Sequence, residues 1–160
     1  MSRPLESPLP SASADAQTPA SEQALRWRRL LRHTCEHLGI ASQDADRILD
    51  DQALQVGGID LALHLNTPLG QGEFYADCGQ PEPWQEADVC RSLLEEALTC
   101  EMPAITLALH PQSRHIVAKA CLPLPVADED GWLCTAMLLA TVTRAREIRQ
   151  RFALHSGGHS

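Results

Sequence analysis

Apolar positions change period several times along the chain, and each change marks an element. From Ser21 to Leu38, Ala24, Trp27, Leu31, Thr34 or Cys35, and Leu38 recur every three to four residues, the spacing of one helix face. Ser21 suits the N-cap, Gly39 a left-handed C-cap, and Ile40 is placed to fold back onto the last turn. SQDADRIL, Ser42 to Leu49, adds one or two acidic helical turns. The period then drops to two. Ile59, Leu61, Leu63 and Leu65 alternate with Asp60, Ala62, His64 and Asn66, which predicts a strand with one buried face. TPLGQG, Thr67 to Gly72, has turn chemistry, and GEFYADCG, Gly72 to Gly79, predicts an antiparallel partner strand. ALQVGG, Ala53 to Gly58, predicts a short strand ahead of both.

Pro81 and Pro83 introduce a second long helix over Trp84 to Glu101, with Glu86 and Asp88 near the positive end of its dipole. Cys90, Leu93, Leu94, Ala97 and Leu98 form its apolar stripe, and Pro103 ends it. Ile105, Leu107 and Leu109, then Ile116, Ala118, Ala120 and Leu122, alternate on either side of PQSR and predict a hairpin. A third long helix, Asp128 to Phe152, opens on acidic residues and closes on arginines. The order α-β-β-β-α-β-β-α predicts an α+β fold with a largely antiparallel sheet. Residues 1–20, rich in Pro, Ser and Ala, read as a disordered arm, residues 21–152 as the domain, and residues 153–160 as a flexible tail.

The chain has 160 residues, of which 44% are hydrophobic and only 4% aromatic, so the core is aliphatic. Its net charge is −8, unevenly spread. Between His33 and Thr143 there are four basic and 17 acidic side chains, while arginines crowd both flanks: Arg26, Arg28, Arg29 and Arg32, then Arg144, Arg146, Arg149 and Arg151. This excludes a sequence-independent nucleic-acid binder, which needs a basic face, and docking on an anionic membrane. Residues 1–20 lack the apolar core of a signal peptide, and no run is long enough to span a bilayer. The expected location is the cytoplasm, with reduced thiols.

Candidate chemistry is sparse. Cys35-Glu36-His37 is the nearest approach to a metal pair, but residues two apart on a helix point away from each other. The other five cysteines follow no ligand spacing, and buried structural thiols are expected. His110 and His115 flank the hairpin turn as two imidazoles without a third ligand. There is no GxSxG, GxxxxGK[ST] or GxGxxG motif. The expectation is a protein with no catalytic residues, metal or cofactor that acts by binding. A metal- or redox-binding protein using its Cys and His residues is the alternative.

LRWRRLLRHTCEHLGI, GIDLALHLNTPLGQGEFYADCG, EADVCRSLLEEALT, the ITLALH…HIVAKACLPL hairpin and the WLCTAMLLATVTRAREIRQRF helix, in this order, resemble the class I type III secretion chaperones. Among these CesT/SycE-like (Tir-chaperone) proteins, the chain is most similar to the HpaB-type export-control chaperones. The resemblance covers about Ser21 to Phe152. It implies a cytoplasmic bacterial homodimer that binds N-terminal segments of secreted effectors. It also implies that the dimer keeps them export-competent and presents them to the secretion apparatus, including its export ATPase. On this resemblance Trp27, Leu31, Leu61, Leu63 and Phe74 are the candidate effector contacts, and Leu93, Leu94, Ala97 and Leu107 the candidate dimer seam. An adaptor of the same fold with no role in secretion is the rival within the fold.

Overall fold

A computed structural model describes residues 19–99, 104–127 and 129–155. Helix α1 spans Pro19–His37 and α2 Ser42–Asp51. Strands β1 (Ala53–Val56), β2 (Ile59–Asn66) and β3 (Gln71–Gly79) form a meander. Helix α3 (Glu86–Thr99), the hairpin β4 (Ile105–Leu109) and β5 (Ile116–Pro123), and α4 (Trp132–Arg151) complete the chain. All pairings are antiparallel, in the order β1-β2-β3-β5-β4.

Gly39 adopts φ 70°, and Ile40 N–H bonds Cys35 C=O at 2.9 Å, the left-handed cap its position predicts. α2 is longer than its acidic sequence suggests, because Ala45, Ile48 and Leu49 all turn inward at i, i+3 and i+4. Three boundaries shift. α1 begins at Pro19, two residues before the predicted cap. α3 begins at Glu86, since Pro83, Trp84 and Gln85 form a turn. α4 begins at Trp132 behind Gly131 at φ 74°, so no acidic residue lies in its first turn. The predicted tail also starts later than residue 153: Leu154 is buried, and His155 pairs with Gln80 through 2.9 and 3.2 Å backbone bonds. The expectations for residues 1–18, 100–103, 128 and 156–160 lie outside the described residues.

The sheet sorts its residues by parity. Ile59, Leu61 and Leu63 of β2, Phe74 and Ala76 of β3, and Ala118, Ala120 and Leu122 of β5 turn to one face and are almost fully buried. α4 lies across β3 and β5 on that face, with Leu138, Val142 and Ile148 inward, and α1 packs beside it. The Trp27 ring lies over Gly72, and its centroid is 5.7 Å from that of Phe74. α2 packs on α1 and β1, and α3 stands beside β4. Residues of the opposite parity, among them Asp60, Ala62, Tyr75, Asp77, Val117 and Lys119, form a second face that none of the four helices covers.

Candidate functional site

The five candidate effector contacts are brought together, but as core. Trp27, Leu31, Leu61, Leu63 and Phe74 are 0–3% exposed. Trp27 and Phe74 pack against each other where α1 meets the sheet, and Leu61 also lines the open groove beside β1. Period-based selection finds the residues that face the interior, and these five do.

The four candidate seam residues also meet. Leu93, Leu94, Ala97 and Leu107 line one shallow cavity of about 260 Å³ between α3 and the hairpin. Their exposure differs: Leu93 is buried, Leu107 is half-buried, and Leu94 stands 67% exposed. Leu98, one turn on, is 87% exposed. α3 therefore splits its apolar residues between an inner row, Val89 and Leu93, and an outer row, Leu94, Ala97 and Leu98. The solvent face of α4 adds Leu133, Ala136, Leu139 and Ala140, an uncharged stretch that the helical periodicity does not single out.

A third feature is the free edge of β1. Gln52 C=O accepts from Leu63 N–H at 2.8 Å, so by antiparallel alternation Leu54 and Val56 bond to β2. The N–H and C=O groups of Ala53 and Gln55 then point to the outside, where no strand among the described residues pairs with them. Beside this edge runs an open groove of about 580 Å³, floored by Ile40, Ile48 and Leu54 and edged by Arg47, Asp51 and Asp60. The edge is short, only four residues, which limits unwanted pairing between copies.

The flanking arginines serve the fold itself. Arg149 donates to the carbonyls of Cys78 (3.1 Å), Gly58 (2.9 Å) and Asp77 (2.8 Å). Arg146 donates to Gly57 C=O, Arg144 and Arg151 hold Glu96 of α3, and Arg28 and Arg32 hold Asp50 and Asp46 of α2. On the uncovered sheet face, the side chain of Glu73 is only 3% exposed. Its Oε1 accepts from Gln71 (2.9 Å), Asn66 (3.1 Å) and Lys119 (3.1 Å), and its Oε2 from the Tyr75 hydroxyl. Burial by itself raises this carboxyl's pKa, but the hydrogen bonds from Tyr75, Gln71, Asn66 and Lys119 outweigh it and hold the value at about 2.

Three of the thiols are made poor nucleophiles by burial. Burial pushes Cys78 up to about 12 and raises Cys35 and Cys121 as well. Among the described residues, no three His, Cys, Asp or Glu side chains are grouped to hold a metal ion. His110 and His115 close the hairpin through His110 N–H to His115 C=O at 2.8 Å, and their rings turn to separate partners. His110 Nδ1 accepts from Ser113 N–H at 3.1 Å, and His115 Nδ1 lies 2.9 Å from Asp77 Oδ1. Among the described residues, no helix is long and apolar enough to cross a membrane.

No protein-family model matches the chain, and no curated protein sequence does. Solved structures do match. The ExsC–ExsE complex aligns with a TM-score of 0.65 over 81% of this chain and 95% of that one, at 13% identity. The HopA1–SchA chaperone–effector complex aligns at 0.60 over 81% and 97%, also at 13% identity. The ExoT–SpcS complex from Pseudomonas aeruginosa aligns at 0.54 over 76% and 96%, at 19% identity. Such identities speak of architecture, and the shared architecture extends over nearly the full length of each partner. The chain has the fold of the class I type III secretion chaperones.

Proposed function

We propose that this protein is a cytoplasmic chaperone of bacterial type III secretion that acts by binding and carries out no catalysis. As a homodimer it holds the N-terminal segments of effectors in non-globular form, keeps them export-competent, and delivers them to the secretion apparatus and its ATPase. The observation that carries this reading is the free β1 edge beside its groove. An extended segment can add a strand against Ala53 and Gln55 and set alternate side chains against Ile40, Ile48 and Leu54. Of the five candidate contacts, Leu61 lines this groove, and the others lie buried behind it. Main-chain pairing tolerates sequence variation, which suits the several clients of an HpaB-type chaperone. The outer row of α3, Leu94, Ala97 and Leu98, with Leu93 and Leu107 behind it, supplies the dimer seam. The ordering cost of the segment, of about 50–100 residues, is offset by wrapping a large surface, of which the β1 edge holds one short stretch. Co-purification with effectors that carry or lack that N-terminal length is the direct test. Binding that ignores the segment's removal would sink the proposal.

A further inference from the structure

The uncovered sheet face carries a second recess, on the opposite side of the sheet from α1 and α4. It is a cavity of about 310 Å³ across β2, β3 and β5, roofed at one end by the β4–β5 turn. Ala62, Val117 and the Tyr75 ring form its floor, and Asp60, Asp77, His110 and His115 stand around it. Register explains the charges. Leu61 pairs with Ala76 at the end of the β2–β3 ladder, so the next position brings Asp60 beside Asp77 on the same face. Like charges at such neighbouring cross-strand positions repel. Each is only partly relieved: Asp60 accepts from Gln55 Nε2 at 2.8 Å, and Asp77 Oδ1 accepts from Gly79 N–H at 2.8 Å and lies 2.9 Å from His115 Nδ1.

Elsewhere on this face a carboxylate has a cation of the chain's own beside it. Across β3 and β5, Lys119 pairs with Tyr75 in the ladder, its ammonium lies 5.0 Å from the Tyr75 ring centroid, and it bonds Glu73 at 3.1 Å. On the Asp60–Asp77 side of Tyr75, no lysine or arginine lines the recess. We propose that this recess takes the basic side chain, arginine above all, of an extended polypeptide lying on the uncovered face. The aliphatic stem rests on Ala62 and Val117, and the guanidinium lies between Asp60 and Asp77 beside the Tyr75 ring. Charge complementarity selects this occupant: the recess is apolar below and acidic at the rim, in a chain whose middle holds 17 acidic and four basic side chains.

This anchor meets the β1-edge groove only at Asp60 and Leu61, and it stands whether or not the polypeptide is a secretion client. Its test is a ¹⁵N NMR titration of the full chain with the peptide acetyl-Ser-Val-Arg-Val-Ser-amide and its citrulline counterpart. The arginine peptide should shift the amides of Ala62, Tyr75 and Val117 and bind about fivefold more tightly than the citrulline peptide. Asp77→Asn, at the carboxylate that lines the recess but not the β1-edge groove, should abolish that difference, while Asp88→Asn, at an exposed carboxylate on α3, should leave it intact. Equal binding of the two peptides, shifts spread over acidic residues away from the recess, or an equal effect of Asp88→Asn would overturn the proposal. Co-purification of effectors would be untouched by any of these results, so the two readings fail separately.

Discussion

Replacing Glu73 with glutamine isolates the charge of a buried carboxylate while keeping its size. The side chain is 3% exposed, so solvent screens it little. Its pKa falls from an ordinary 4.5 to about 2. At 1.36 kcal/mol per pKa unit, that difference corresponds to about 3 kcal/mol of stability at neutral pH. The folded carboxylate holds its proton less tightly than the unfolded one. The contribution is therefore complete above about pH 5 and is lost as pH falls toward 2, with about 1.4 kcal/mol left at pH 3. Glutamine can still accept from Asn66, Gln71 and Lys119, so only the charge-assisted part of the bonding disappears. Glu73→Gln should cost about 2–3 kcal/mol at pH 7 and about 1 kcal/mol at pH 3. Urea unfolding followed by circular dichroism at pH 7, 5 and 3, at one protein concentration, measures both gaps. A gap below about 0.5 kcal/mol at pH 7, or one that stays constant down to pH 3, would refute the reasoning.

Three further outcomes are expected. Gly72→Ala places a Cβ 2.2 Å from the Trp27 ring, so the ring must move; the melting temperature should fall by roughly 3–10 °C, partly restored by adding Trp27→Leu. Arg149→Met removes three bonds to carbonyls of β3 and the β1–β2 turn and should cost about 2–4 kcal/mol in urea unfolding, with faster amide exchange around Gly58. Leu94→Asp with Leu98→Asp, both strongly exposed in a single chain, should turn a sedimenting dimer into a monomer with an unchanged far-ultraviolet spectrum; an unchanged mass would remove α3 from the seam.

Periodicity reads what the helices and strands bury, and it reads that well here. The alternation of Ile59, Leu61 and Leu63, the Gly39–Ile40 cap and the PQSR turn all stand in the structure as their spacing predicts. Ala45, Ile48 and Leu49 carried the same signal for a full α2, masked by the aspartates between them. The same success misdirects the search for a binding surface, because a residue that fits the buried stripe is hidden from partners. Phe74 fits that stripe and is fully buried, while Leu98 and Trp84 stand strongly exposed and Leu139 partly so. The free edge of β1 was out of reach altogether. It depends on which strand ends the sheet, and β3 finds its second neighbour in β5 and not in the nearer β4. The neighbouring positions of Asp60 and Asp77 likewise follow from a register that only pairing reveals.

The strand order has a consequence for how the chain reaches its native state. The β1–β2–β3 meander and the β4–β5 hairpin each close over short loops, but they join along β3 and β5, where Gly72 meets Leu122 about fifty residues away in sequence. We predict that the two units form early and that their docking along this line limits the folding rate. Ala118→Gly, at the joint, should slow refolding in stopped-flow measurements, while Leu54→Ala, in the outermost strand, should chiefly speed unfolding. Until that docking, both flanks of the central joint present unpaired backbone, and the newly made chain is itself a bearer of free strand edges.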